Sequence, residues 1–166
     1  MALTIGVPRE TEPGETRVAL VPDVADRLLA TVDDLDIRVE EGAGQGAYHT
    51  DADYDAAGCS VVGRDATFDA DIIAKVAPPS DDEVDRLGEG QVLVGFLSPL
   101  ERPETAQALA DRGVMALAME LVPRISRAQK LDALSAMSSI GGYRAAIGAA
   151  ERLPAGLRHA RAMCPT

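Results

Sequence analysis

Short apolar runs alternate along this chain with polar segments of helical spacing. Leu3–Val7 is the first run, closed by Pro8, and reads as a strand. Pro13-Gly14 marks a turn, and Arg17-Val-Ala-Leu20 resumes apolar character. Pro22 opens a helix to about Thr31, with Val24, Ala25, Leu28 and Leu29 on one face. Ile37–Glu40 alternates as a second strand. Residues 42–49 are glycine-rich, and residues 51–57 predict a short helix, capped by Thr50 or Asp51 and ended at Gly58. Ser60–Val62 and Asp71–Val76 read as strands, the latter stopped by Pro78-Pro79. Ser80 then caps a helix over 81–87. Gln91–Leu97 is a near-continuous apolar run, as in a strand buried on both faces, and Val114–Met119 predicts the next buried strand. Between them Pro103 opens a helix over 104–112 that Gly113 ends. This alternation, with short connections, predicts an α/β fold: a parallel sheet with helices on both faces. Residues 120–129 read as a polar loop. The small-residue stretch 132–150 predicts a tightly packing helix leading onward, weakened at its centre by Gly141-Gly142.

Composition narrows the class. With 166 residues, 46% of them hydrophobic, one core-bearing domain is the default. No apolar run approaches the ~20 residues that span a bilayer, and the start MALTIGVPRE lacks the basic and apolar regions of a signal peptide. The balance of 27 Asp and Glu against 16 Lys and Arg, net −11, disfavours nucleic acid as a partner. The cations include only two lysines, Lys75 and Lys130, and there is no tryptophan. An acidic, lysine-poor chain is expected of a protein working in concentrated salt, where self-repulsion is screened. Cys59 and Cys164 stand far apart, with no CxxC pair or Cys/His cluster, which argues against a zinc site or disulfide scaffold and fits a reducing cytoplasm. The last 16 residues are net +2, whereas the 150 before them are net −13.

Three groups of residues carry candidate chemistry. Gly42-Ala-Gly44-Gln-Gly-Ala47 follows a predicted strand and fits a dinucleotide fingerprint, with Asp65 about twenty residues on. No helix opens at Gly44, and Asp51, Asp53 and Asp55 would repel phosphate, so a plain glycine loop is the better reading. Arg9, Arg17 and Lys75 lie near predicted strand or loop ends and suit a small carboxylate, although composition favours surface ion pairs. Lys75 is harder to dismiss, because it sits inside an apolar strand of a chain that hardly uses lysine. Arg124, Gln129, Asp132 and Ser135 cluster at one loop and the following helical turn. They could hold a carboxamide and a ribose hydroxyl together, or Asp132 and Ser135 could simply cap a helix.

The segments Ile5-Gly-Val-Pro-Arg-Glu-Thr, Pro-Gly-Glu-Thr-Arg-Val-Ala-Leu-Val-Pro22, Glu41-Gly-Ala-Gly-Gln-Gly-Ala47, Asp53-Tyr-Asp-Ala-Ala-Gly58 and Ala70-Asp-Ile-Ile-Ala-Lys-Val76 together resemble one family. It is the family shared by alanine dehydrogenase and the alpha subunit of proton-translocating NAD(P)+ transhydrogenase, and the resemblance covers about residues 3–154. It implies a Rossmann-like first domain, left incomplete. The expected division is an N-terminal domain over 1–131, a linking helix over 132–154 toward an absent NAD-binding domain, and an atypical tail over 155–166. A truncated or frame-shifted reading would explain the abrupt basic end.

Two positions separate the branches. Alanine dehydrogenases resemble this chain around Val94-Gly-Phe-Leu97 but carry a catalytic histidine where Ser98 stands. The stretch Pro123–Ser135 is similar to the transhydrogenase loop that holds the nicotinamide end of NAD(H). The resemblance therefore implies Arg124, Gln129, Asp132 and Ser135 as cofactor-binding residues, with Gln129 and Asp132 positioning the nicotinamide. Arg17 and Lys75 match substrate-carboxylate positions of the dehydrogenase branch, and no metal site is expected. By the same resemblance the partners are a membrane beta subunit and an NADP(H)-binding domain, with a homodimer in the complete protein, peripheral at the cytoplasmic face of the membrane. The chain alone is expected to be inactive and to bind NADH weakly or not at all. The alternatives are an alanine dehydrogenase-type oxidoreductase and a non-catalytic fragment that associates with a partner chain.

Overall fold

A computed structural model describes residues 2–152. The basic tail at 155–166, and the end of the predicted linking helix at 153–154, lie outside the described residues. The chain divides into two compact units, Met1–Leu121 and Val122–Thr166.

The first unit holds six strands: β1 (Leu3–Val7), β2 (Leu35–Glu40), β3 (Ser60–Val62), β4 (Ile72–Ala74), β5 (Val92–Gly95) and β6 (Met115–Ala118). Its helices are α1 (Pro22–Thr31), α2 (Asp51–Ala56), α3 (Arg64–Phe68), α4 (Asp81–Arg86) and α5 (Pro103–Asp111). All strand pairs are parallel, in the order β3-β2-β1-β4-β5-β6. This is the strand order of a doubly wound sheet, and it reverses direction between β1 and β4.

Local chemistry fixes the helix starts. Pro22 and Pro103 occupy the first turns of α1 and α5, where no backbone N–H is needed. Thr50 with Asp53, and Ser80 with Glu83, form reciprocal capping boxes at α2 and α4.

Each face of the sheet carries its own core. Val7, Ile37, Val39 and Tyr54 belong to the cluster against which Leu28 and Leu29 of α1 pack. Phe68, Ile73, Val84, Leu93 and Leu109 form the cluster beneath α3, α4 and α5. At the crossing of α3 over β1 there is no room for a side chain. A Cβ on Gly6 would stand 2.1 Å from the Thr67 carbonyl oxygen.

The predicted elements form, with three corrections. α3 has no foreseen counterpart, because a five-residue helix shows too little periodicity to read. The polar loop after β6 contains short 3-10 turns at Met119–Leu121 and Ser126–Leu131. The expectation that Val114–Met119 is a buried strand fails, since Met115 is 62% and Leu117 49% exposed. The reason is topological. β6 is the sheet edge, and α1 and α2 cover only the β1–β3 half of that face. For the same reason Val92 and Val94 of β5 are only half-buried on that face.

In the second unit a single helix, α6 (Ala133–Arg152), follows the 3-10 turn. Gly141 and Gly142 do not interrupt it. None of its residues is buried. Among the described residues no helix is long and apolar enough to cross a membrane.

Candidate functional site

Open α/β sheets bind ligands beyond the carboxyl ends of the strands, at the point where strand order reverses. Here that point lies past β1 and β4, at Arg9-Glu10 and Lys75-Val76. A buried ionic network fills it. The Lys75 side chain is 1% exposed, and its Nζ donates to Glu10 Oε2 at 3.2 Å and to Glu83 Oε1 at 3.0 Å. Arg64 joins Glu83, at 2.7 Å, to Glu40, at 2.9 Å. Glu10 also accepts the backbone N–H of Val76 at 2.6 Å and of Ala77 at 3.3 Å. Glu40 accepts the N–H of Arg9 at 2.9 Å. Burial would raise the Glu83 carboxyl, but the Ser80 N–H together with the Lys75 and Arg64 charges outweighs it and holds the group below the usual carboxylate range.

Lys75 is thus a buried ion-pair residue rather than a surface one. Arg17 donates to Glu15 from Nε at 2.8 Å, and it also feels the charge of Glu10. Arg17 is thus paired with Glu15, whereas Lys75 is paired with Glu10 and Glu83, so the two share no hydrogen-bonded carboxylate. Glu10, Glu40, Arg64 and Glu83 were not singled out from the sequence. Glu83 could have been, because Ser80-x-x-Glu83 is a capping-box signature.

Carboxylates of the chain close the other strand exits as well. Glu120 accepts the N–H groups of Leu97, at 3.3 Å, and of Ser98. Ser98 sits in the left-handed region at φ 47° and presents no imidazole. At the exit of β2, Asp51 accepts the Gly42 N–H at 2.9 Å. A Cβ on Gly44 would meet the Tyr54 ring at 2.6 Å, and one on Gly46 the Thr16 carbonyl oxygen at 2.8 Å. These glycines serve close packing, and no helix of useful length opens toward a pyrophosphate there.

The second unit brings the other predicted residues together. The Asp132 carboxylate caps the first turn of α6, accepting Ser135 N–H at 2.9 Å and Ser135 Oγ–H at 2.6 Å. The Ser135 hydroxyl and N–H, helped by the Arg124 guanidinium, hold Asp132 below its ordinary value, so it is ionised at neutral pH. Arg124, Gln129 and Ser135 are exposed. The Gln129 carbonyl accepts the Asp132 N–H at 3.4 Å, and its side-chain carboxamide has no hydrogen-bond partner among the described residues. The helix-cap reading of Asp132 and Ser135 is realised. It leaves each carboxylate oxygen a lone pair, the Arg124 fork and the whole Gln129 amide for a ligand.

This donor set fits the carboxamide and ribose end of a pyridine nucleotide. Neither the Gly42–Ala47 loop nor the first turn of α6 offers the cradle of free backbone N–H groups that a pyrophosphate needs. Among the described residues no group of His, Cys, Asp or Glu could hold a metal ion.

Comparison with known proteins shows the family. The profile of the alanine dehydrogenase/PNT N-terminal domain matches residues 6–141. The NAD(P) transhydrogenase subunit alpha of Cereibacter sphaeroides is 45% identical over 149 residues, covering 89% of this chain and 28% of that protein. The alanine dehydrogenase of Bacillus subtilis is 37% identical over 149 residues, covering 89% of this chain and 38% of that one. The crystal structure of transhydrogenase from Sinorhizobium meliloti superposes with a TM-score of 0.84 at 36% identity, over 89% of this chain and 44% of that chain. The chain thus spans less than half the length of each of these relatives. By the extent of the profile match and by its fold, the chain belongs to the alanine dehydrogenase/PNT family and carries that family's N-terminal domain.

Proposed function

We propose that this chain supplies the N-terminal part of an NAD(P) transhydrogenase alpha subunit, and that its loop from Arg124 to Ser135 orients the nicotinamide end of NAD(H). The observation that carries this reading is the exposed set of Arg124, Gln129 and Ser135 around an ionised Asp132. The higher identity to the transhydrogenase relative, 45% against 37%, supports the same branch. So does Ser98, which offers no imidazole acid or base.

Bound NAD(H) would supply the hydride. The chain's own residues position it. Gln129 pairs with the carboxamide and fixes which face of the ring is presented. Asp132 accepts a ribose hydroxyl, while Ser135 holds the carboxylate in place. Arg124 adds its charge to the Ser135 hydrogen bonds that favour the Asp132 carboxylate and lends a donor fork to the polar side of the site. The acceptor would be NADP+ on a separate domain, with a membrane beta subunit coupling transfer to proton translocation. In that complex the chain would sit as a homodimer at the cytoplasmic face of the membrane.

The isolated chain should bind NADH weakly, because neither the Gly42–Ala47 loop nor the first turn of α6 cradles a pyrophosphate among the described residues. Titration of the isotope-labelled chain with NADH, followed by amide NMR, tests this. Shifts confined to residues 124–135 with millimolar affinity are expected. A low-micromolar dissociation constant, or shifts that avoid this loop, would overturn the reading. The family's other activity remains the competitor. Pyruvate- and ammonium-dependent oxidation of NADH by a protein containing this chain would favour an alanine dehydrogenase instead.

A further inference from the structure

The 3-10 turn Ser126–Leu131 sorts its side chains into three rows. The Ala128 N–H donates to the Ile125 carbonyl at 2.9 Å, and the Asp132 N–H to the Gln129 carbonyl at 3.4 Å. Residues three apart eclipse one another in such a helix, about 6 Å apart along its axis. Ser126 and Gln129 therefore share one row, Ala128 and Leu131 a second, and Arg127 and Lys130 a third. The cationic row lies about a third of a turn from the row that carries Gln129. Arg127 and Lys130 are both exposed.

The charge of this row is unlike that of the first unit. Residues 1–121 carry nine Lys and Arg against 25 Asp and Glu, a net of −16, and six of those nine cations are held in ion pairs. Residues 122–152 carry five against two, a net of +3. Lys130 is one of only two lysines, and the other is locked between Glu10 and Glu83. Arg124 lends its charge to Asp132. Arg127 and Lys130 have no carboxylate partner among the described residues. The dipole of the turn does not account for the pair. Lys130 suits its carboxyl end, but Arg127 sits in its first turn, where a cation is unfavourable.

We propose that Arg127 and Lys130 bind the diphosphate of the nucleotide whose nicotinamide end the Gln129 row orients, an inference that rests on the function proposed above. Arg127 offers a phosphate group a two-pronged donor fork, and Lys130 offers a point charge. In a chain this acidic, the row also offsets the repulsion that an incoming anion meets. Two flexible side chains attract phosphate without a backbone cradle, in keeping with weak binding by the isolated chain.

Amide NMR of the full chain, titrated with inorganic pyrophosphate and separately with NADH, tests this. Pyrophosphate should shift the amides of residues 126–131, and the Arg127→Gln, Lys130→Gln double variant should abolish those shifts. Arg144→Gln, which removes an exposed cation of α6, should leave them unchanged. The double variant should weaken NADH binding roughly fivefold in about 0.01 M KCl. The difference should shrink at about 0.1 M, as the Debye length falls from roughly 30 to 10 Å. Circular dichroism should be unchanged, because both side chains are exposed. Pyrophosphate shifts that avoid residues 126–131, or that the double variant keeps, overturn the inference. So does a double variant that binds NADH as tightly as the native chain. If NADH shifts neither Gln129 nor Asp132 while pyrophosphate still shifts Arg127 and Lys130, the function proposed above falls instead and the phosphate contact stands.

Discussion

Replacing Lys75 with Met tests the buried network most severely. Met matches the apolar stem of the lysine but lacks the ammonium, so both its charge and its donations to Glu10 and Glu83 are lost. Glu10 and Glu83, 3% and 0% exposed in their side chains, then face each other with one cation fewer. Breaking a buried pair by removing one partner costs about 3–5 kcal/mol, because an uncompensated charge stays behind. For a chain of this size each kcal/mol moves the unfolding midpoint by roughly 2–4 °C, so a drop of about 6–20 °C is expected. The pH dependence identifies the cause. In the native chain Glu83 titrates below its ordinary value, so its contribution is present above the ordinary carboxylate pKa and is lost as pH falls through its folded value. In the variant, burial without Lys75 pushes the Glu83 carboxyl upward. Protonation then relieves the variant first, and its deficit should narrow as pH falls below about 5. Urea unfolding followed by circular dichroism across pH 4 to 8 measures this. A deficit under about 1 kcal/mol at neutral pH, or one that widens in acid, would refute the electrostatic reasoning.

Other expectations concern packing, reactivity and salt. Gly6→Ala should destabilise the chain by about 3 kcal/mol in denaturant unfolding, since backbone of α3 lies where the new methyl would go. A near-neutral result would mean that α3 does not cross β1 so closely. The Cys59 thiol is buried and pushed up to about 11, so in a Cys164→Ser chain it should resist a thiol reagent at pH 8 until the protein unfolds. Rapid labelling of the folded chain would contradict that burial. Raising KCl from about 0.1 to 1 M shortens the Debye length from roughly 10 to 3 Å. It should raise the unfolding midpoint of a unit carrying net −16, and a flat salt response would refute self-repulsion as a limit on stability.

The sheet was legible in the sequence because strands buried on both faces read as apolar runs, and because Pro22, Thr50, Ser80 and Pro103 announce helix starts. Val114–Met119 misled for an instructive reason. An apolar run reports what a strand could bury, whereas burial at Met115 and Leu117 depends on whether a helix covers that part of the sheet. The network at Lys75 was half legible. An isolated lysine in an apolar strand signals a partner, but the partners come from Glu10 and Glu83, 65 and 8 residues away, and only the fold brings them together. At the candidate site, the four residue types and their spacing were readable at Arg124, Gln129, Asp132 and Ser135. That Asp132 caps α6 while Gln129 keeps its amide open was not readable, because both readings use the same residues.

The role of the Arg124–Ser135 loop is tested most directly by hydride transfer in a chimaera. Residues 6–141 of this chain would replace the matching stretch of the Cereibacter sphaeroides relative. The Gln129→Ala, Asp132→Ala double variant should then transfer hydride at least a hundredfold more slowly at saturating NADH, with its fold intact by circular dichroism. If the ring is gripped elsewhere, the double variant will turn over at the unmodified rate.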